Sequence, residues 1–295
     1  MRAVITALTD ELQRLKAAGV KSVPVSEDAV EALRIAARRT PASAQPARTA
    51  PQARAPATPS ASPAGAPAFP PAPEVVLPEG DKAARWSALR ERVINDPVCL
   101  GHVNPGRKVV FGVGSLDARI FFVGEAPGAD EEVQGEPFVG AAGQLLNRMI
   151  AATGLRREDV YIGNIMNWRP QLPLGPGGTQ VGNRPPTQDE MTYCLPYLRA
   201  QIAVVNPGII VALGATATQG LLGFGSFKAL GDVRGQWREF SGRPLLVTYH
   251  PSYILRNPTS RSKRVIWEDF LKVMERAGMP ISAKQRGFFL DKGGF

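Results

Sequence analysis

Cysteine is almost missing from this chain of 295 residues: Cys99 and Cys194 are its two thiols. That is too few for a disulfide framework or for a metal centre held by cysteine alone. Histidine is equally scarce, with His102 and His250. Long apolar runs are also missing, and nothing approaches the roughly 20 residues that span a bilayer. The N-terminus reaches Asp10, Glu11 and Arg14 without the apolar stretch of a secretory signal. The lack of long apolar runs excludes a transmembrane protein, and the lack of a targeting signal leaves a cytoplasmic one as the expectation. Against them stand 44% hydrophobic residues, enough for a buried core, and a formal net charge of +9. The charge points to a polyanionic partner and says nothing of chemistry.

Composition divides the chain into three. From 41 to 80, 11 prolines and 12 alanines fill 23 of 40 positions. Such a stretch cannot bury enough apolar surface to offset chain entropy, so it reads as a disordered linker. Residues 1–40 carry a short helical periodicity through Val4, Ile5, Leu8, Leu12 and Leu15. That pattern suits a marginal helical segment or a docking helix for a protein partner. Residues 81–295 read as the folded domain, in which any catalytic site is expected. Residues 1–80 hold 9 basic and 7 acidic side chains, leaving 26 and 19 beyond them. The folded part is therefore +7, and an anionic ligand is expected on a structured surface.

From Lys82 onward apolar strands alternate with helices. Strands are expected at Ile120–Val123, Val160–Ile162, Ile209–Leu213 and Leu245–Val247. Helices are expected near 82–93, 142–153, 188–205, 215–222 and 263–277. The pattern predicts a three-layer αβα fold whose mostly parallel sheet of about four strands has helices on both faces. Ligands in such folds bind beyond the carboxyl ends of the strands.

Three strand-end loops carry chemistry. The first, Gly124-Glu125-Ala126-Pro127-Gly128 through Gly143-Gln144, is glycine-rich and leads into a helix whose free N–H groups suit an anion. It is not a P-loop, because no Gly-Lys-Ser/Thr follows. Its acidic Glu125 and Glu131 are either exposed loop carboxylates or working groups. The second holds Asn164, which can read the edge of a planar heterocycle or cap a turn. The third is His250-Pro251-Ser252-Tyr253, whose imidazole either ties down the loop or donates to a developing oxyanion. Arg256, Arg261, Lys263 and Arg264 follow as a basic cluster suited to phosphates or to water.

Together Gly124-Glu125-Ala126-Pro127-Gly128, Gly135-x-Pro137-Phe138-Val139-Gly140-x-Ala142-Gly143-Gln144, Asn164, Arg169-Pro170, Asn183-Arg184 and His250-Pro251-Ser252 resemble the family 4 branch of the uracil-DNA glycosylase superfamily. The resemblance runs from about Cys99 to Arg276. It implies a monomeric, monofunctional glycosylase that flips uracil out of DNA, hydrolyses its N-glycosidic bond and leaves an abasic site. Phe138 would stack on the base, Asn164 read its polar edge, and Glu131 crowd C5 against a thymine methyl. His250 would bond uracil O2, and Glu125 would support the sugar cation or position water. Ala126 and Gly128 complete the substrate loop, with Ala126 standing where other branches carry an aspartate. Gly128, Gly143, Gln144, Ser252 and Arg256 would meet the DNA backbone, and Tyr253, Ile254 or Leu255 would wedge into the stack. The missing aspartate leaves an alternative, a module that binds uracil-containing or abasic DNA without turnover.

The chain departs from that family in two places. The branch holds an iron–sulfur cluster on four cysteines, whose positions here are Cys99, His102, Trp168 and Cys194. Tryptophan cannot ligate iron, so the site is expected to be filled by packing, with no metal and no cofactor. The loop from Arg169 to Asn183 is also longer than the family's spacing. It contains no histidine, against the covalent DNA capture that a related branch carries out through one.

Overall fold

The computed structural model describes residues 69–175 and 178–290. The segment at 1–40 and the linker as far as residue 68 lie outside the described residues. Residues 69–80 form neither helix nor strand, yet Phe69, Val75 and Leu77 lie against the core. Packing therefore reaches back into the end of the proline-rich stretch.

The chain runs through α1 (Lys82–Ile94), α2 (Pro97–Gly101), β1 (Val113–Gly114) and β2 (Ile120–Gly124). Then come α3 (Ala129–Gln134), α4 (Ala141–Ala152), β3 (Tyr161–Asn164), α5 (Gln188–Val205), β4 (Ile209–Leu213) and α6 (Ala215–Leu222). It ends with α7 (Leu230–Val233), β5 (Trp237–Phe240), β6 (Arg243–Thr248), α8 (Pro251–Arg256), α9 (Ser260–Arg276) and α10 (Ala283–Arg286).

The strands form one sheet in the order β1-β3-β2-β4-β6-β5. The four expected strands are its parallel centre, but the sheet has six strands, not four. Antiparallel β1 and β5 flank it, and both evade an apolar-run reading. Strand β1 is two residues long, and β5 exposes Arg238 and Glu239. The local signal for β5 was the turn Ser241-Gly242, whose φ values of 50° and 72° match the two-residue hairpin geometry.

Continuous apolar strands follow from burial on both faces. Phe121 and Val123 of β2 face one core, with Ile210 and Ala212 of β4, beneath α1, α5 and α6. Ile120 and Phe122 face the other, with Val211 and Leu213, beneath α4 and α9. From β2 the chain passes through α4 to β3 on one side, while β4 leads to β6 on the other. The reversal opens a crevice at the carboxyl ends of β2 and β4. No helix among the described residues is long and apolar enough to cross a membrane.

Candidate active site

An open cavity of about 610 Å³ occupies that crevice. Glu125, Ala126, Gly128 and Glu131 line it after β2, Asn164 from β3, and His250, Ser252, Tyr253 and Arg256 after β6. Phe138 joins them from the long first loop. A fourth strand end contributes Gly214, Ala215 and Thr216 after β4. Sequence reading passed over that loop, since no acidic, basic or aromatic side chain marks it.

Phe138 is held in an unusual state. Its φ of 54° lies in the left-handed region, a strain of about 1–3 kcal/mol for such a residue. Surrounding contacts impose it. Arg157 donates to the carbonyls of Pro137 at 2.6 Å and Phe138 at 3.1 Å, and Gly143 of α4 packs so tightly on the Phe138 carbonyl that no Cβ would fit. The ring consequently sits 5.5 Å from that of His250, inclined by 33°. Gly124 has the same logic: a Cβ there would collide with the Asn164 amide and the Phe138 ring. Asn164 is 6% exposed and its Oδ1 has no partner among the described residues. An unmet, buried amide oxygen is rare in a folded protein, and this one belongs to a residue that lines the cavity beside an aromatic face.

His250 is the N-cap of α8, with Pro251 at the first helical position. Its Nδ1 accepts the Ser252 backbone N–H at 3.2 Å and lies 2.9 Å from the Ser252 hydroxyl. Arg256 donates to that same hydroxyl at 3.0 Å. Because Nδ1 is an acceptor, the neutral ring carries its proton on Nε2. Burial, and then the nearby Arg256 charge, lower the pKa of His250 to about 4. The ring is therefore a neutral donor at physiological pH.

The two glutamates differ. Burial raises the pKa of Glu125, while a hydrogen bond with Thr216 acts in the opposite direction. Glu131 spends its carboxylate on backbone: Oε1 accepts from Val139 at 3.0 Å and Gly140 at 2.9 Å, and Oε2 from Gly128 at 3.1 Å. It shapes the loop that it lines.

Other expected site residues lie elsewhere. Gly143 is buried against Phe138, and Gln144 is exposed on α4 outside the cavity lining. Leu255, 45% exposed, lines a separate apolar cavity with Leu145, Met149 and Trp267. Tyr253 instead stacks on Tyr249 at 4.4 Å within the main cavity. Arg169 and Arg184 are scaffolding. Arg169 pairs with Glu132 at 2.8 Å with both side chains buried, and bonds Asn183 at 2.8 Å. Arg184 pairs with Glu190 at 2.6 Å. Arg157, Thr216 and Tyr249 were not foreseen.

At the positions of the implied cluster, Cys99, Trp168 and Cys194 are fully buried. Trp168 has an indole N–H that can only donate, and it has no partner among the described residues. Among the described residues no three His, Cys, Asp or Glu side chains converge as a metal site. The residues do not fit an iron–sulfur cluster.

Comparison with known proteins agrees with this geometry. A type-4 uracil-DNA glycosylase of Thermotoga maritima is 43% identical over 185 residues, covering 62% of this chain and 90% of the relative. Those of Archaeoglobus fulgidus and Saccharolobus solfataricus are each 42% identical over 57% of this chain, covering 81% and 76% of their own lengths. Residues 111–271 match the uracil DNA glycosylase superfamily, a span that holds every side chain lining the cavity. The chain belongs to that superfamily and, within it, to family 4.

Proposed function

We propose that this protein removes uracil from DNA by hydrolysing the N-glycosidic bond, leaving an abasic site. The observation that carries the reading is Asn164, which lines the cavity beside the Phe138 ring and whose buried Oδ1 has no partner among the described residues. Uracil presents a flat ring for Phe138 and an alternating donor–acceptor edge for Asn164. Extruding it from the duplex costs a few kcal/mol, which stacking and edge bonds would recover.

Bond cleavage leaves negative charge on the departing base and positive charge on the sugar. His250, neutral and protonated on Nε2, would donate to uracil O2 as the charge builds there. The Ser252 and Arg256 contacts to its Nδ1 side support this orientation. Glu125 would act ionised, stabilising the cationic sugar or positioning the water that attacks it. Glu125, Asp130 and Glu131 all line the cavity, and their negative charge would suit a transient cation. Glu131 would crowd C5, where thymine carries its methyl. Tyr253 and Arg256 would meet the DNA around the extruded nucleotide.

Incubation with a uracil-containing oligonucleotide, followed by alkali, tests the reading. Strand cleavage that His250→Ala slows most and Asn164→Ala slows less is expected. Uracil-dependent binding with no cleavage by the unaltered protein would overturn it in favour of a binding module, the reading that Ala126 motivates.

A further inference from the structure

The loop after β3, α2 and α5 bring Trp168, His102, Tyr193 and the two cysteines to one place, where the family resemblance implies a four-cysteine cluster. An aromatic stack occupies it instead. The His102 ring lies on Trp168 at 4.9 Å and 25°. Phe69, from the end of the proline-rich stretch, sits 5.3 Å from His102 and nearly parallel to Trp168 at 6.5 Å and 15°. Tyr193 of α5 closes the side, edge-on to Phe69 at 5.7 Å. These are the offset and edge arrangements that aromatic rings favour, each contributing beyond its buried area.

The polar groups around the stack are already engaged. His102 donates from Nδ1 to the Val98 carbonyl at 2.8 Å. The Asp96 carboxylate accepts from Tyr193 at 2.9 Å, Tyr197 at 2.7 Å and the Cys99 backbone at 2.8 Å. The volume belongs to an indole with no lone pair to offer, and no side-chain rotation of the two cysteines supplies the two missing thiolates.

We propose that Phe69, His102, Trp168 and Tyr193 form a metal-free plug that joins α2 to α5 and pins residues 69–80, the end of the proline-rich stretch, to the domain. A cluster crosslinks the chain through bonds that a chelator can strip. A stack does so through burial and is indifferent to chelators.

The test uses the full chain, purified anaerobically, incubated with ferrous iron and sulfide, then desalted and analysed for iron and zinc. No stoichiometric metal, no brown chromophore, and a melting temperature unchanged by a strong chelator are expected. Stoichiometric metal surviving desalting, or a chelator-induced fall in melting temperature, overturns the proposal. Two variants test the stack itself. Phe69→Ala, at the edge of the fold, should lower the melting temperature by roughly 3–8 °C, and Trp168→Phe should hold it within about 3 °C. An unchanged melting temperature for Phe69→Ala overturns the pinning of the segment.

Discussion

Asn164 and Trp168 stand four residues apart, and each buries a polar atom with no partner among the described residues. Leaving such an atom unmet costs about 1–3 kcal/mol. The surroundings decide what that cost means. Asn164 lines the cavity, between Phe138 and the end of β2, so under the proposed function a bound base would recover the loss. Trp168 is sealed under His102 and Phe69, where nothing can, and aromatic burial offsets the loss permanently. Unmet polarity beside open space marks a site for chemistry, whereas the same feature inside a stack marks a replaced one.

The largest effect should come from the cavity side. His250→Ala is expected to reduce kcat by 10²–10³, about 2.7–4 kcal/mol of transition-state stabilisation, with little change in melting temperature. Single-turnover kinetics on a uracil oligonucleotide measure it, and a loss below tenfold would remove His250 from the chemistry.

Asn164→Ala should cost less, roughly 10–100-fold in kcat/KM, since one reading contact is worth about 1–3 kcal/mol. It should leave melting temperature unchanged, because the amide oxygen has no partner among the described residues. A marked fall in stability would mean that Asn164 belongs with Trp168 as a structural group.

Glu125 sharpens the comparison through pH. Its pKa is raised by burial, so activity should decline on acidification at a pH above the ordinary carboxylate range. His250, held to about 4, should add no inflection near its usual 6.5. The stability sign is the reverse of the activity sign. A carboxyl with a raised folded-state pKa stabilises the fold when protonated, and that stability is lost as pH rises through the raised value. Glu125→Gln should therefore raise the melting temperature at neutral pH by roughly 1–3 °C while lowering activity. Calorimetry and a kcat–pH profile check the two halves.

The smallest effect belongs to the sealed side. Trp168→Phe removes the orphaned N–H and keeps an aromatic ring, so the two changes nearly cancel. Uracil release should stay within twofold of the unaltered protein, and a larger loss would couple the plug to the cavity.

Much of this comparison was legible in the residues. The four parallel strands announced themselves as apolar runs, and the loops after β2, β3 and β6 were found because each carries a chemically marked residue. The loop after β4 carries none, and Thr216 went unseen. Strands β1 and β5 were missed because an edge strand buries too little to need an apolar run. Arg157 had no signal either, since its role lies in carbonyls that approach it only after folding.

Motif residues also divided in a way that spacing could not show. Glu131, Arg169 and Arg184 look alike as charged loop residues, yet Glu131 braces the cavity loop while the arginines brace the long loop after β3. Leu255 and Tyr253 are two residues apart in one helix, and helical geometry sends them to different cavities.

By itself the sequence determined the alternation of strands and helices, the family, and the loss of two of four cysteines, because composition and local pattern carry those directly. Only the tertiary structure decided which polar atoms remain unmet, which tautomer His250 adopts, and what fills the place of the missing thiols. These depend on atoms far apart in the chain that meet at hydrogen-bond and van der Waals distance, and no local pattern encodes such meetings.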